Sequence, residues 1–263
     1  MRRTMRLGTD MPCWADMPRR FVLACIPFAG AGASFYRPWQ RLTHEAFDVL
    51  PLQLPGHEER IGEPLIRDVH EAAQDLVGQL GDLDGKSLLL FGHSLGADLA
   101  YEMALSLASS GAARVARLYV SGAPGPSTPR RGRATGLDDI AFLGMVNELA
   151  GYKHEALEIP ELREMLLPVI RADVEMHEIY RPSTTLPLNI PVTAVRGRDD
   201  HLVCGADAME WRRATSAKFE MLELDGGHMY LVDGPEPLLD MITSHIRTLT
   251  ASCGHSTVTT ERG

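Results

Sequence analysis

The feature that most constrains this chain is a rhythm of six short, continuously apolar runs, each followed by a longer polar or amphipathic stretch. The runs are FVLACIPF from Phe21, DVLPLQL from Asp48, SLLLFGH from Ser87, RLYVSGA from Arg117, IPVTAVRG from Ile190 and FEMLEL from Phe219. A strand that is apolar at successive positions, rather than at alternate ones, needs cover on both faces. The intervening stretches at 35–43, 69–83, 97–109, 206–214 and 236–248 carry helical patterns. Parallel strands need long crossovers, and helices supply them together with the cover. The expectation is an α/β fold: a mostly parallel central sheet flanked by helices, one domain over residues 20–250, with 1–19 and 251–263 as loose termini.

One segment breaks the rhythm. Between about 124 and 187 there is no convincing strand. It opens with the linker APGPSTPRRGRATG and continues with Phe142, Met145, Val146 and Leu149 on one helical face, then Leu162, Met165, Leu166, Val169 and Ile170 on another. This is read as a helical lid inserted between two core strands. Its methionines, Met145, Met165 and Met176, are either an adaptable apolar lining or plain packing, with packing preferred. The formal charge of −9 argues against nucleic acid as a partner. No apolar run approaches the length needed to cross a bilayer, and the N-terminus lacks the apolar core of a secretory signal. The four cysteines show neither zinc spacing nor pairing, so reduced thiols, no metal site and a cytoplasmic protein are expected.

The chemistry concentrates at Gly92-His93-Ser94-Leu95-Gly96. The pattern G-x-S-x-G is short, but here it follows SLLLF and precedes ADLAYEMALSLA, the strand–turn–helix setting of a nucleophile elbow. Ser94 is therefore the candidate nucleophile. A serine hydroxyl needs a base, and the base an orienting acid. Most histidines (His44, His70, His154, His177, His245) fall on predicted helices or their ends, and His93 sits inside the elbow. His228 follows Gly226 and Gly227 just beyond the last strand run and is the candidate base. The acid falls to Asp199 or Asp200, past the end of IPVTAVRG, and the residues alone do not choose between them. Two backbone N–H donors must stabilise a developing oxyanion. Leu95, next to the nucleophile, supplies one; Ala29, in the small-residue loop PFAGAGA, is chosen for the second.

Taken together, PFAGAGASFYRPW, LPGHEERIGEP, GHSLGA, DDHLV, Trp211 and GGHMYL, in this order, resemble the type II thioesterases, editing enzymes of nonribosomal peptide and polyketide synthases within the α/β-hydrolase superfamily. The resemblance runs from about Phe21 to Ile246. It implies an α/β-hydrolase fold, Asp200 as the acid, and Ala29 and Leu95 as the oxyanion donors. It also implies hydrolysis of acyl groups from the phosphopantetheine arm of an acyl or peptidyl carrier protein, with no cofactor of the enzyme's own. The chain departs from the family's usual residues at Leu95 (methionine), His57 (arginine), His201 (proline) and Met229 (phenylalanine). Arg130, Arg131 and Arg133, in an acidic protein, are candidates for steering an acidic carrier or form a solvated linker. An esterase or acyltransferase on oxygen esters would use the same triad, and a silent scaffold would not keep it intact.

Overall fold

The computed structural model describes residues 21–43, 46–83, 85–130, 133–150 and 155–253. The terminal segment 1–19, nearly all of 251–263, and His44, Arg131 and His154 lie outside them. In chain order the elements are β1 (Phe21–Ile26), α1 (Trp39–Leu42), β2 (Asp48–Pro51), α2 (Val69–Gly78), β3 (Ser87–His93), α3 (Leu95–Ser110) and β4 (Val115–Ser121). They continue with α4 (Asp139–Ala150), α5 (Pro160–Ile179), β5 (Val192–Gly197), α6 (Gly205–Met209), β6 (Phe219–Leu224), α7 (Tyr230–Asp233) and α8 (Glu236–Cys253). The strands form one sheet in the order β2-β1-β3-β4-β5-β6, and every pairing is parallel.

Register explains why the apolar runs are continuous. Leu23 pairs with Leu89, and Ala24 with Leu90. The alternate side chains Leu88 and Leu90 enter one core with α2 and α3, while Leu89 and Phe91 enter the other with Trp39 and α8. Each face carries a core of its own, so both sets of alternating side chains on β1 and β3 are apolar along most of their length. The reversal of strand order beside β1 and β3 opens a crevice at their carboxyl ends, the place where ligands bind in open parallel sheets.

Local chemistry sets the element ends. The stretch at 35–43 does not form one helix: Pro38 disfavours helical backbone at the residue before it, and regular helix begins only at Trp39. The helix read over 69–83 stops at Gly78; at its start Asp68 caps the backbone N–H groups of His70 and Glu71 at 2.9 and 3.0 Å. β2 ends at Pro51 on the sheet's edge, where a missing N–H breaks no central ladder. Between β4 and β5 the described residues form α4 and α5 and no strand, and Ala134, Phe142, Leu157 and Ile170 make a small core of their own. α8 runs to Cys253, beyond the point at which the sequence pattern ends.

Candidate active site

Ser94 sits between the last residue of β3 and the first of α3 with φ +52° and ψ −120°, a conformation costly for a residue with a side chain. The surroundings enforce it. Its N–H donates to the Ser121 carbonyl on β4 at 2.8 Å. A Cβ on Gly92 would stand 1.9 Å from the Gly96 carbonyl oxygen, and one on Gly96 would stand 2.6 Å from that of Ile26. Both glycines are required because backbone passes where a side chain would be. Leu95 is the first residue of α3, so its N–H belongs to the group at a helix start that lacks an intrahelical acceptor. The loop after β1 folds as a turn closed by the Ala31 N–H on the Phe28 carbonyl, 2.9 Å, with Gly30 at φ +76°.

Asp200 and His228 come from the loops after β5 and β6, adjacent strands. His228 Nδ1 lies 3.0 Å from Asp200 Oδ2. Asp200 Oδ1 accepts the N–H groups of Leu202 and Val203 at 2.8 and 3.0 Å. Burial pushes the Asp200 carboxyl up, but the hydrogen bond and charge of His228 and the two backbone donors outweigh it and hold the group below the usual carboxylate range. Asp199 is exposed, and its backbone N–H ties this loop to the Gly226 carbonyl at 2.9 Å. Ser94, His228, Ala29 and Leu95 share the wall of one cleft of about 560 Å³. Its roof is apolar and comes from the inserted helices, with Met145, Val146, Met165, Leu166, Val169 and Ile170.

Other residues singled out by sequence fall differently. Met176 does not line the cleft; it is buried in the core beneath α3. Arg130 is turned inward: its side chain is 7% exposed and its guanidinium donates to Asp98 Oδ1 at 2.5 Å. Arg133 is exposed. His93 is buried, its ring centroid 4.9 Å from that of His228, and its Nδ1 lies 2.8 Å from Ser121 Oγ. Burial, reinforced by the neighbouring His228, pushes the His93 imidazole well below its ordinary range, so it is a neutral packing partner beneath the candidate base.

A thioesterase-domain family model matches residues 21–246, nearly all of the described chain. The chain belongs to the thioesterase family. Thioesterase PikA5 of Streptomyces venezuelae is 34% identical over 226 residues, covering 85% of this chain and 80% of that protein. The solved structure of RedJ, a thioesterase from the prodiginine pathway of Streptomyces coelicolor, superposes with a TM-score of 0.78 at 30% identity, covering 92% of this chain and 91% of RedJ. BorB, a type II thioesterase from the borrelidin biosynthetic cluster, superposes at 0.76 with 32% identity over 88% and 93% of the two chains. The parallel sheet with flanking helices, expected from the alternation of elements, is thus the α/β-hydrolase fold of type II thioesterases that the resemblance implied.

The sequence reading of this thioesterase missed its buried acids. Asp98 on α3 is fully buried and held by Arg130 and by His177 Nδ1 at 2.8 Å. Glu102, one turn on, accepts the Tyr180 hydroxyl at 2.8 Å. Asp173 on α5 is buried against His57. Single acids inside ADLAYEM, an otherwise apolar helix, were the available signal. Among the described residues no helix is long and apolar enough to cross a membrane.

Proposed function

We propose that this chain hydrolyses acyl thioesters from the phosphopantetheine arm of acyl or peptidyl carrier proteins, clearing stalled or misprimed modules of polyketide or nonribosomal peptide synthases. The observation that carries the reading is the His228–Asp200 pair and a strained Ser94 in one apolar, helix-roofed cleft, in a chain of the thioesterase family whose relatives include type II thioesterases of such pathways. Asp200 accepts the Nδ1 proton of His228, leaving Nε2 to act as base. Ser94 Oγ then attacks the thioester carbonyl carbon as its proton passes to Nε2. Negative charge collects on the carbonyl oxygen, toward the N–H groups of Ala29 and Leu95. The C–S bond breaks, the thiol leaves with the proton from His228, and an acyl-Ser94 ester remains. Water gives its proton to His228, attacks the ester, and the acid leaves as the proton returns to Ser94.

No metal or cofactor of the enzyme's own enters these steps; phosphopantetheine arrives on the carrier. We place the enzyme in the cytoplasm, a setting that fits the free thiols of Cys25 and Cys204. An editing enzyme meets many acyl groups, and an apolar roof discriminates among them weakly, about 1–3 kcal/mol per methylene. The test compares acetyl, propionyl and butyryl groups on one carrier protein, on N-acetylcysteamine, and as p-nitrophenyl esters. Modest variation in kcat/KM with chain length, and higher values on the carrier, are expected. Equal efficiency on carrier and small thioester would defeat carrier recognition, and preference for oxygen esters would make this an esterase.

A further inference from the structure

Three segments distant in sequence meet at one carboxylate oxygen next to the oxyanion loop. Asp173 Oδ2 accepts the Gly30 N–H at 2.7 Å and lies 3.0 Å from His57 Nε2. Asp173 belongs to α5 in the roof, Gly30 to the turn after β1, and His57 to the loop after β2. The Asp173 and His57 side chains are 1% and 5% exposed, so the junction is buried. α5 also passes close to the turn: a Cβ added at Gly30 would lie 3.2 Å from Ile170 Cγ1, so Ile170 leaves little room for a side chain there.

The turn needs holding. Phe28 to Ala31 is closed by one hydrogen bond, with Ala29 and Gly30 as its central residues and Gly30 at positive φ, as the third residue of a type II turn requires. The peptide joining the central residues can rotate, which converts one turn type into another, and the Gly30 N–H is on that peptide. An acceptor at 2.7 Å holds it in one orientation. Ala29, whose N–H is assigned to the oxyanion, is the residue on which that peptide hinges.

The proton inventory of His57 follows from its neighbours. Nδ1 lies 3.0 Å from the Pro55 carbonyl oxygen, which can only accept, so Nδ1 carries a hydrogen. Nε2 faces Asp173 Oδ2, the same oxygen that accepts the Gly30 N–H; with Asp173 ionised, that oxygen can only accept, and Nε2 binds it as N–H. Both nitrogens protonated is imidazolium, and the junction is an ion pair. We propose that Asp173 is the positioning residue of the oxyanion turn and that charged His57 holds it in place, so that loss of the His57 proton as pH rises slackens the turn and lowers turnover. The proposal rests on the reading of Ala29 as an oxyanion donor. Burial works against the charge on His57, but the hydrogen bond and charge of Asp173, the Pro55 carbonyl and the charge of Glu58 outweigh it and raise its pKa. From α5 the facing group is Asp173; from its own loop it is Glu58, whose carboxylate is bound by Ser34. His177, one turn further along α5, is held by Asp98. A folded pKa raised above the unfolded one means that the pair contributes fully below the ordinary histidine range. The contribution disappears as pH rises through the raised value.

The experiment measures kcat and KM for S-propionyl-N-acetylcysteamine from neutral to alkaline pH, corrected for uncatalysed hydrolysis, in the wild type, His57→Arg and Asp173→Asn. The His57 C–H resonance is titrated by NMR in the same protein. The wild type should lose kcat on the alkaline side in step with the His57 titration, and His57→Arg, charged throughout, should lack that limb. Asp173→Asn should lower kcat about 10-fold or more with KM within about 2-fold, a fraction of the 10²–10³ lost when an oxyanion donor is deleted. A thermal melt shows whether Asp173→Asn remains folded; if it does not, His57→Arg and the titration decide. An alkaline limb that persists in His57→Arg, a His57 pKa at or below its ordinary value, or a folded Asp173→Asn with wild-type kcat would each overturn the proposal. p-Nitrophenyl propionate is run in parallel: turnover of that ester without the thioester refutes thioester hydrolysis alone, because the same limb is then read on the ester.

Discussion

Replacing Asp200 by asparagine probes the site most sharply, because the substitution preserves shape and changes only what the group can accept. The carboxylate makes three contacts: His228 Nδ1 at 3.0 Å, and the N–H groups of Leu202 and Val203 at 2.8 and 3.0 Å. An asparagine keeps the two backbone contacts by placing its carbonyl oxygen where Oδ1 was, which leaves its NH₂ facing His228. A donor there selects the tautomer of His228 with hydrogen on Nε2, and that nitrogen can no longer take the proton of Ser94. The loop stays in place and the chemistry fails, so kcat should fall by roughly 10³–10⁴, about 4–5.5 kcal/mol in activation free energy. Asp199→Asn alters an exposed side chain and leaves intact the backbone bond to Gly226, so kcat should change less than about 2-fold. The assay is release of free thiol from an acyl-N-acetylcysteamine thioester, with melting temperatures to confirm folding. Greater damage from Asp199→Asn than from Asp200→Asn would refute the assignment of the acid.

Ser94→Ala and His228→Ala should each lower kcat by on the order of 10³-fold or more and together cost little beyond either alone, because the groups act as a unit; Ser94→Ala should also abolish labelling by a fluorophosphonate probe. Arg130→Ala leaves the buried carboxylate of Asp98 without its guanidinium partner, which should cost about 3–5 kcal/mol and lower Tm on the order of 10 °C, as calorimetry will measure. A salt-dependent loss of carrier turnover without a change in Tm would restore Arg130 to a docking role. Gly96→Ala puts a methyl group 2.6 Å from the Ile26 carbonyl oxygen and should yield protein that is insoluble or inactive; a soluble variant of normal kcat would show that β1 can move away from the elbow.

The sequence by itself determined the sheet and the elbow. Six apolar runs without alternation demand cover on both faces, and the structure supplies two cores, one on each side of the same strands. The elbow was legible because its constraints are local: glycines two residues to either side of Ser94, a strand before and a helix after. The candidate base could be selected from ten histidines because the ends of parallel strands lie on one edge, so position in the element order is already position in space. Element ends were less legible, since Pro38 and the distribution of glycines shorten helices whose apolar pattern continues. Tertiary structure alone decided the polar junctions. Nothing near Arg130 in sequence announces that Asp98 will bury it, and nothing near His57 announces Asp173, 116 residues away. A charged side chain is cheap to leave in water and costly to bury unpaired, so its environment depends on which partner the fold brings to it. Apolar periodicity records where a residue must be buried; the pairing of charges is written only in the contacts between elements.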